Sequence, residues 1–299
     1  MLTRVPQLTS TELADIEALL AECKRHDGHS IPIYKHLIDK RHPIACNVLY
    51  YKDKHLIGYL RTYFFYVDAC EVALMVAPKY RRQGIASQML REIVPVVQAE
   101  NITSLIFSTP PHLHDAWLTQ MNFHYRGSEY QMQYNLEKKV TVHPKPATIR
   151  FATEADIPTL CAIDDACFPN KKADPDSLFQ NLLHTSNCDL FVLTQAGEVV
   201  GKAHLFTESD RVRLTDIGVL PNLRGQGLGS ALIRHCINHA LVRNKTRIVL
   251  DVETNNESAL KLYNGLGFDV TNAHDYWVTP ENAIDFGLDT YLYCSRPQT

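Results

Sequence analysis

The sequence has no long apolar run, no basic cluster and no paired-cysteine motif, and each absence removes a class of function. No stretch approaches the ~20 consecutive apolar residues that a membrane-spanning helix requires. Lys and Arg number 30 against 33 Asp and Glu, and none of them gather into the positive strip that phosphate neutralisation demands. A nucleic-acid partner and a membrane are therefore not expected. The opening residues, Met1-Leu2-Thr3-Arg4-Val5-Pro6, lack the apolar core and small-residue cleavage site of a secretory leader, so the expected location is cytoplasmic. The 8 cysteines are scattered through apolar segments, as at Cys70 and Cys236, and read as free thiols. The 14 histidines form no H-E-x-x-H pattern, and no metal site is expected.

What is present suits a globular protein of two domains. Apolar residues make up 45% and charged residues 21% of the 299 positions, enough to bury a core in each half. The strongest signal is internal repetition. Thr9-Ser10-Thr11-Glu12 and Thr153-Glu154-Ala155-Asp156 each read as a capping box ahead of an apolar helix. Leu56-Ile57-Gly58 follows a polar turn as Val199-Val200-Gly201 does, 143 residues on. Arg81-Arg82-Gln83-Gly84-Ile85-Ala86 answers Arg224-Gly225-Gln226-Gly227-Leu228-Gly229 at the same spacing of 143. Two copies of one fold account for this better than one large domain. The polar, proline-bearing join at 137–147 sets the expected domains at 1–143 and 144–299.

In the second copy, periodicity predicts helices at 154–166, 175–185, 227–243 and 256–265. Strands are expected at 189–195, 199–207, 211–219, 247–252 and near 288–294. Antiparallel strands followed by a β-α-β crossover imply an α/β or α+β fold, with a mixed, mostly antiparallel sheet flanked by helices. The strand ending at Val219 runs through Pro221 into Arg224–Ser230 and then an apolar helix. Small residues there let backbone N–H groups close on an anion, the helix N-terminus adds partial positive charge, and a pyrophosphate suits the site. A P-loop is excluded for want of Gly-Lys-Ser/Thr. A dinucleotide fingerprint competes through Gly225-x-Gly227 and Asp251, but Ser230 stands at the third glycine and Pro221 interrupts the approach. A glycine turn without a ligand is the remaining alternative.

The run Val-x-Pro-x-x-Arg-Gly-x-Gly-x-Gly at 219–229 resembles the Q/R-x-x-G-x-G/A signature of the GNAT acetyltransferases. The segment from Asn256 to Phe268, including Leu262-Tyr263 and Gly267-Phe268, resembles that family's following motif. Through the repeat, the resemblance extends to a tandem, two-domain form. It implies acetyl-CoA as co-substrate, bound in a gap between two parallel strands, and transfer of acetyl to a primary amine. The acceptor could be a small molecule, an amino sugar, a peptide or a protein. The N–H groups of Gly225, Gln226, Gly227, Leu228, Gly229 and Ser230 would hold the pyrophosphate beside Arg224, and the main chain of Ile217 and Val219 the pantetheine. Tyr263 would protonate the leaving thiolate, and Asn256 would touch CoA or cap its helix. Asp251 is the first candidate for the base, with Asp216 and Glu253 as alternatives. Asp275, Tyr276, Trp277, Glu281 and Asp285 are read as an amine pocket or an exposed loop.

The first copy keeps the loop but departs from the pattern beyond it. Leu118 stands where Tyr263 does, Pro111 where Asn256 does, and Asn122 where Gly267 does. Leucine cannot donate a proton, so the first copy is expected to be catalytically degenerate. A CoA-binding or interaction protein in which neither copy turns over is the alternative from another class.

Overall fold

The computed structural model describes residues 1–38, 41–65, 68–138, 148–168, 175–208 and 211–279. The chain forms two compact units, both discontinuous in sequence. One comprises Met1–Tyr130, Glu253–Asn255 and residues from Asn272 onward; the other comprises Gln131–Val252 and Asn256–Thr271. Among the described residues no helix is long and apolar enough to cross a membrane.

The elements of the first copy are β1 (Leu2–Val5), α1 (Ser10–Asp27), α2 (Lys35–Ile38), β2 (Asn47–Lys52), β3 (His55–Tyr63), β4 (Ala69–Val76), α3 (Ile85–Ala99), β5 (Ser104–Thr109), α4 (Asp115–Gln120) and β6 (His124–Tyr134). The second copy follows with β7 (Thr148–Phe151), α5 (Ile157–Cys167), α6 (Pro175–Leu183), β8 (Cys188–Gln195), β9 (Glu198–Thr207), β10 (Val212–Val219), α7 (Leu228–Val242), β11 (Ile248–Glu253), α8 (Glu257–Gly265) and β12 (Phe268–Val278). The expected α/β fold with a mostly antiparallel mixed sheet and flanking helices is what forms.

Both capping boxes close. Thr9 Oγ1 accepts from the Glu12 N–H at 3.2 Å, and Glu12 accepts from the Thr9 N–H at 2.7 Å. Thr153 and Asp156 make the reciprocal pair ahead of α5, and Arg150 adds two hydrogen bonds of 2.7 Å to the Asp156 carboxylate. That guanidinium holds Asp156 down at about 2.

In the first unit the sheet runs β1-β2-β3-β4-β5-β12, with β4 and β5 parallel and the remaining neighbours antiparallel. Its core packs Ile16, Leu19, Val48, Leu60, Val72, Met89, Phe107 and Leu118. In the second unit the order is β6-β11-β10-β9-β8-β7, again with a parallel pair, β10 and β11, followed by antiparallel β9, β8 and β7. Part of its core joins Leu160, Phe179, Leu190 and Val192.

One element departs from the sequence reading. Residues 268–278 form β12, whose end at Asp275–Val278 pairs antiparallel with β5 at Thr109–Ile106 in the first unit. This segment was expected to be a loop ahead of a strand near 288–294; that later strand, with Glu281 and Asp285, lies outside the described residues, as does most of the 137–147 join. The 7 described cysteines are free thiols.

Candidate active site

The second copy builds its site around a fork. β10 pairs with β11 only from Val212 to Leu214, yet continues along β9 to Val219. Between Thr215 and Gly218 the β9 register slips, and Asp216 there takes φ 51°, a left-handed conformation costly for a residue with a side chain. Two glycines allow the close packing. A Cβ on Gly201 would lie 2.9 Å from the Gly218 carbonyl oxygen, and one on Gly218 would lie 3.3 Å from Cys167 Sγ.

Beyond the fork, a 3-10 turn at Pro221–Leu223 leads into the glycine loop. Gly225 and Gly227 take φ 77° and 80°, and α7 begins at Leu228. The first helical hydrogen bond runs from Ala231 N–H to Gly227 C=O at 3.1 Å. The N–H groups of Leu228, Gly229 and Ser230 therefore precede any intrahelical partner, at the positive end of the helix dipole. Nothing lies within 4 Å of a Cβ position on Gly225, so the loop is open to a ligand. This arrangement fits a pyrophosphate. Arg224 is less available than the sequence suggested. Its Nε donates to the Val219 carbonyl at 3.1 Å and one terminal nitrogen to Cys167 Sγ at 3.6 Å, so much of the guanidinium ties the loop to the strand. The same contact occupies the outward carbonyl of Val219.

Asn256 caps α8, its Oδ1 accepting from the Ala259 N–H at 3.1 Å. Leu262 Cδ2 lies 3.6 Å from a Cβ position on Gly229, which docks α8 against the start of α7. The neighbouring Tyr263 is 9% exposed, its ring set edge-on to Phe268. Burial pushes its phenol up to about 12, so the hydroxyl keeps its proton at neutral pH.

Of the three carboxylates singled out as bases, Asp251 is ion-paired to Arg213 and accepts from the Gln131 amide at 3.4 Å. Asp216 lies 3.5 Å from His204. Glu253 is exposed and belongs to the first unit. Gln131 precedes the join between the copies, and no local pattern pointed to it. Of the segment read as an amine pocket or an exposed loop, Asp275–Trp277 lie in strand β12: Asp275 accepts from Ser128 Oγ and from the His112 N–H at 3.2 Å, and Tyr276 donates to Glu129 at 3.0 Å, all in the first unit. His112, Asp115 and Asp275 bring ligand-type atoms within 4.8 Å of one another, a grouping the sequence reading did not foresee. His112 Nδ1 there meets Asp115 at 3.0 Å.

The first copy has the same frame. β4 and β5 pair from Ala69/Ser104 to Ala73/Ser108, then β4 runs on to Val76 without any slip against β3. Gly84 takes φ 78° at the start of α3. A cavity of about 520 Å³ opens here, lined among others by Met75, Arg81, Gly84, Ser108, His114 and Trp117. Leu118 is fully buried, and Pro110-Pro111 delay α4 to Asp115, leaving it 6 residues against the 9 of α8. His114 has its imidazole held below the usual range by burial and by Arg81.

Comparison with known proteins places these features. The acetyltransferase (GNAT) family model matches twice, over residues 13–118 and 157–268. A [ribosomal protein bS18]-alanine N-acetyltransferase of Escherichia coli is 34% identical over 96 residues, covering 32% of this chain and 65% of the relative. The chain thus spans just under two thirds of that relative's length. A mycothiol acetyltransferase of Corynebacterium efficiens is 33% identical over 87 residues, 29% of each chain. Among solved structures, a GNAT N-acetyltransferase from Sphaerobacter thermophilus aligns with a TM-score of 0.76 at 16% identity, covering 93% of this chain and 95% of the other. A tandem GNAT protein from the clavulanic acid biosynthesis pathway aligns at 0.68 and 14% identity, covering 95% and 99%. With the family matched once in each copy and the fork and glycine loop formed in both, this chain belongs to the GNAT acetyltransferase family, in its tandem form.

Proposed function

We propose that the protein transfers an acetyl group from acetyl-CoA to a primary amine, and that the second copy is the working site. The observation that carries this is Tyr263: a buried phenol held protonated, on the helix docked at the glycine-loop end of α7, where the first copy has Leu118. Acetyl-CoA supplies an acetyl group activated as a thioester. The N–H groups from Gly225 to Ser230 would hold its pyrophosphate and the main chain of β10 at Ile217 and Val219 its pantetheine arm, with the Val219 carbonyl shared with Arg224. Orientation of two bound reactants can supply on the order of 7–11 kcal/mol of the acceleration. Tyr263 would give its proton to the departing sulfur, a general-acid role of about 10²–10⁴-fold. A carboxylate at the fork would take the amine's proton; Asp251 and Asp216 both stand just past the last β10–β11 pair.

The matched relatives are named for a ribosomal-protein alanine and for mycothiol, and a peptide terminus or a small amine is the corresponding acceptor class here. The first copy would bind a ligand rather than turn it over, since its cavity is lined by Trp117 and Gln120 of α4 while Leu118, which stands where Tyr263 does, is buried and has no proton to give. Thiol release from acetyl-CoA across a panel of small amines, amino sugars and peptides tests the reading. Acetyl-CoA-dependent turnover lost in Tyr263→Phe supports it, and undiminished turnover in that variant overturns it.

A further inference from the structure

A buried chain of titratable side chains in the second unit leads to one of the two fork carboxylates. Lys202 on β9 is fully buried, with Nζ 2.6 Å from Asp164 of α5 and 5.2 Å from the ring centres of Phe168 and Phe179. The same Nζ stands 3.5 Å from Nε2 of His204, two residues along the strand. His204, 2% exposed, turns Nδ1 to within 3.5 Å of Asp216 Oδ2. The Asp216 side chain is 26% exposed, so the chain runs from the core to an open end.

That open end lies at the fork. Thr215 pairs with His204 and Gly218 with Lys202, so Asp216 and Ile217 together oppose Ala203. On a regular strand Asp216 would face away from His204; the bulge and its left-handed φ of 51° turn the carboxylate to the His204 side. Backbone strain of this kind gathers at functional positions.

The order of groups also sets the protons. A buried ammonium is tolerated only when paired, and Asp164 pairs it. Lys202 can only donate, so the His204 nitrogen facing it is an acceptor, and the imidazole proton sits on Nδ1, toward Asp216. Besides these, His204 meets the Phe179 ring of α6 at 6.0 Å and the Phe206 ring at 6.5 Å, and the Asp216 carboxylate lies near enough to Cys188 of β8 to help burial push that thiol up. Asp251, by contrast, already faces the Arg213 guanidinium.

We propose that Asp216 takes the proton of the incoming amine in the second copy, with His204 as the positioning residue that aims it. This rests on the second copy being the acetyl-transfer site. In the step, the C–N bond forms as the C–S bond breaks. The amine proton goes to the Asp216 carboxylate, the sulfur takes the Tyr263 proton, and exchange with solvent restores both groups.

The test is kcat and kcat/KM against pH for the full chain and its Asp216→Asn, Asp216→Glu, His204→Gln, Asp251→Asn and Tyr263→Phe variants. Acetyl-CoA affinity is measured alongside by calorimetry. Asp216→Asn should lower kcat by at least about 100-fold, within the range for a lost general base, with acetyl-CoA affinity kept within about threefold. Asp216→Glu should recover part of that loss. Asp251→Asn should cost less than about tenfold. His204→Gln removes a donor from the carboxylate, so the acidic limb of kcat/KM should move to higher pH. Asp216 is partly exposed, so its variants keep the question open to measurement even where His204→Gln fails to fold. The proposal is overturned if Asp216→Asn stays within about threefold of the parent, or if Asp251→Asn costs more than Asp216→Asn. Loss in Tyr263→Phe with full activity in Asp216→Asn overturns this assignment alone; full activity in both overturns the reading of the second copy as well.

Discussion

At matching positions the two copies make the same contacts and then diverge at the reacting groups. Nε of Arg81 donates to the Val76 carbonyl at 2.9 Å, and Nε of Arg224 to the Val219 carbonyl at 3.1 Å. The thiols of Cys23 and Cys167 point to those same carbonyls at 3.6 and 3.4 Å. The scaffold of the loop is thus held by one device used twice. The second guanidinium partner differs: Arg81 grips Asp27 through two hydrogen bonds of 2.7 and 2.6 Å, whereas Arg224, among the described residues, reaches Cys167. Beneath the fork, Tyr59 and Arg61 of β3 both donate to the side-chain Oδ1 of Asn47 at 2.8 Å each, where β9 carries Lys202 and His204. Ala73 stands where Asp216 does, on a strand without a slip. A frame can therefore be kept by backbone-directed contacts while the chemistry is exchanged residue by residue.

The largest effect that could break this comparison is catalytic. Replacing Tyr263 by Phe is expected to lower kcat by about 10²–10³-fold while acetyl-CoA affinity is retained, as steady-state kinetics and calorimetry would show. Equal loss of affinity would make the phenol a packing group like Leu118. Next comes packing under the loop. Gly201→Ala drives a Cβ to 2.9 Å from a backbone carbonyl, whereas Gly58→Ala meets the flexible end of Met89 at the same distance. Chemical denaturation should give a loss of about 2–3 kcal/mol for Gly201→Ala and about 1 for Gly58→Ala.

A smaller effect lies at the end of the helix after the fork. Asn122 and Gly267 both take a left-handed backbone, φ 59° and 92°. Gly267→Ala should cost about 1–2 kcal/mol, and Asn122→Gly should be neutral or stabilising by under about 1, since Asn already tolerates that region. The smallest difference concerns the capping boxes, where Thr9→Ala and Thr153→Ala should each cost about 1 kcal/mol. Only the second box has an arginine on its carboxylate. Asp156, held at about 2, contributes stability that is present above the ordinary carboxylate range and lost as pH falls through about 2. Acid titration of Asp156→Asn against the parent should show the stability gap closing between pH 4 and 2.

Much of the frame was legible because it is local. Capping boxes, glycine loops and apolar helices lie within a few residues of the groups that determine them, and their recurrence 143 or 144 residues on gave away the duplication. What escaped depends on distant partners. Asn272, His274 and Asp275 look like loop residues, yet Asn272 bonds Ser30, and Asp275 accepts from Ser128. Those polar side chains interrupt the strand pattern because their partners lie more than 140 positions away. The approach of Asp216 to His204 needs a one-residue register slip that no periodicity announces. Arg224 was read toward a ligand because its charge is visible in sequence, while the Val219 carbonyl that occupies it is not.

The sharing of strands in each unit has a consequence for anyone dividing the gene. The first unit's sheet finishes on Asp275–Val278, and the second includes Gln131–Tyr134. A polypeptide ending in the join would leave β5 with a bare hydrogen-bonding edge, and its counterpart would begin without the strand beside β11. Each fragment should be prone to associate through that raw border, and mixing the two should restore soluble material that neither yields by itself.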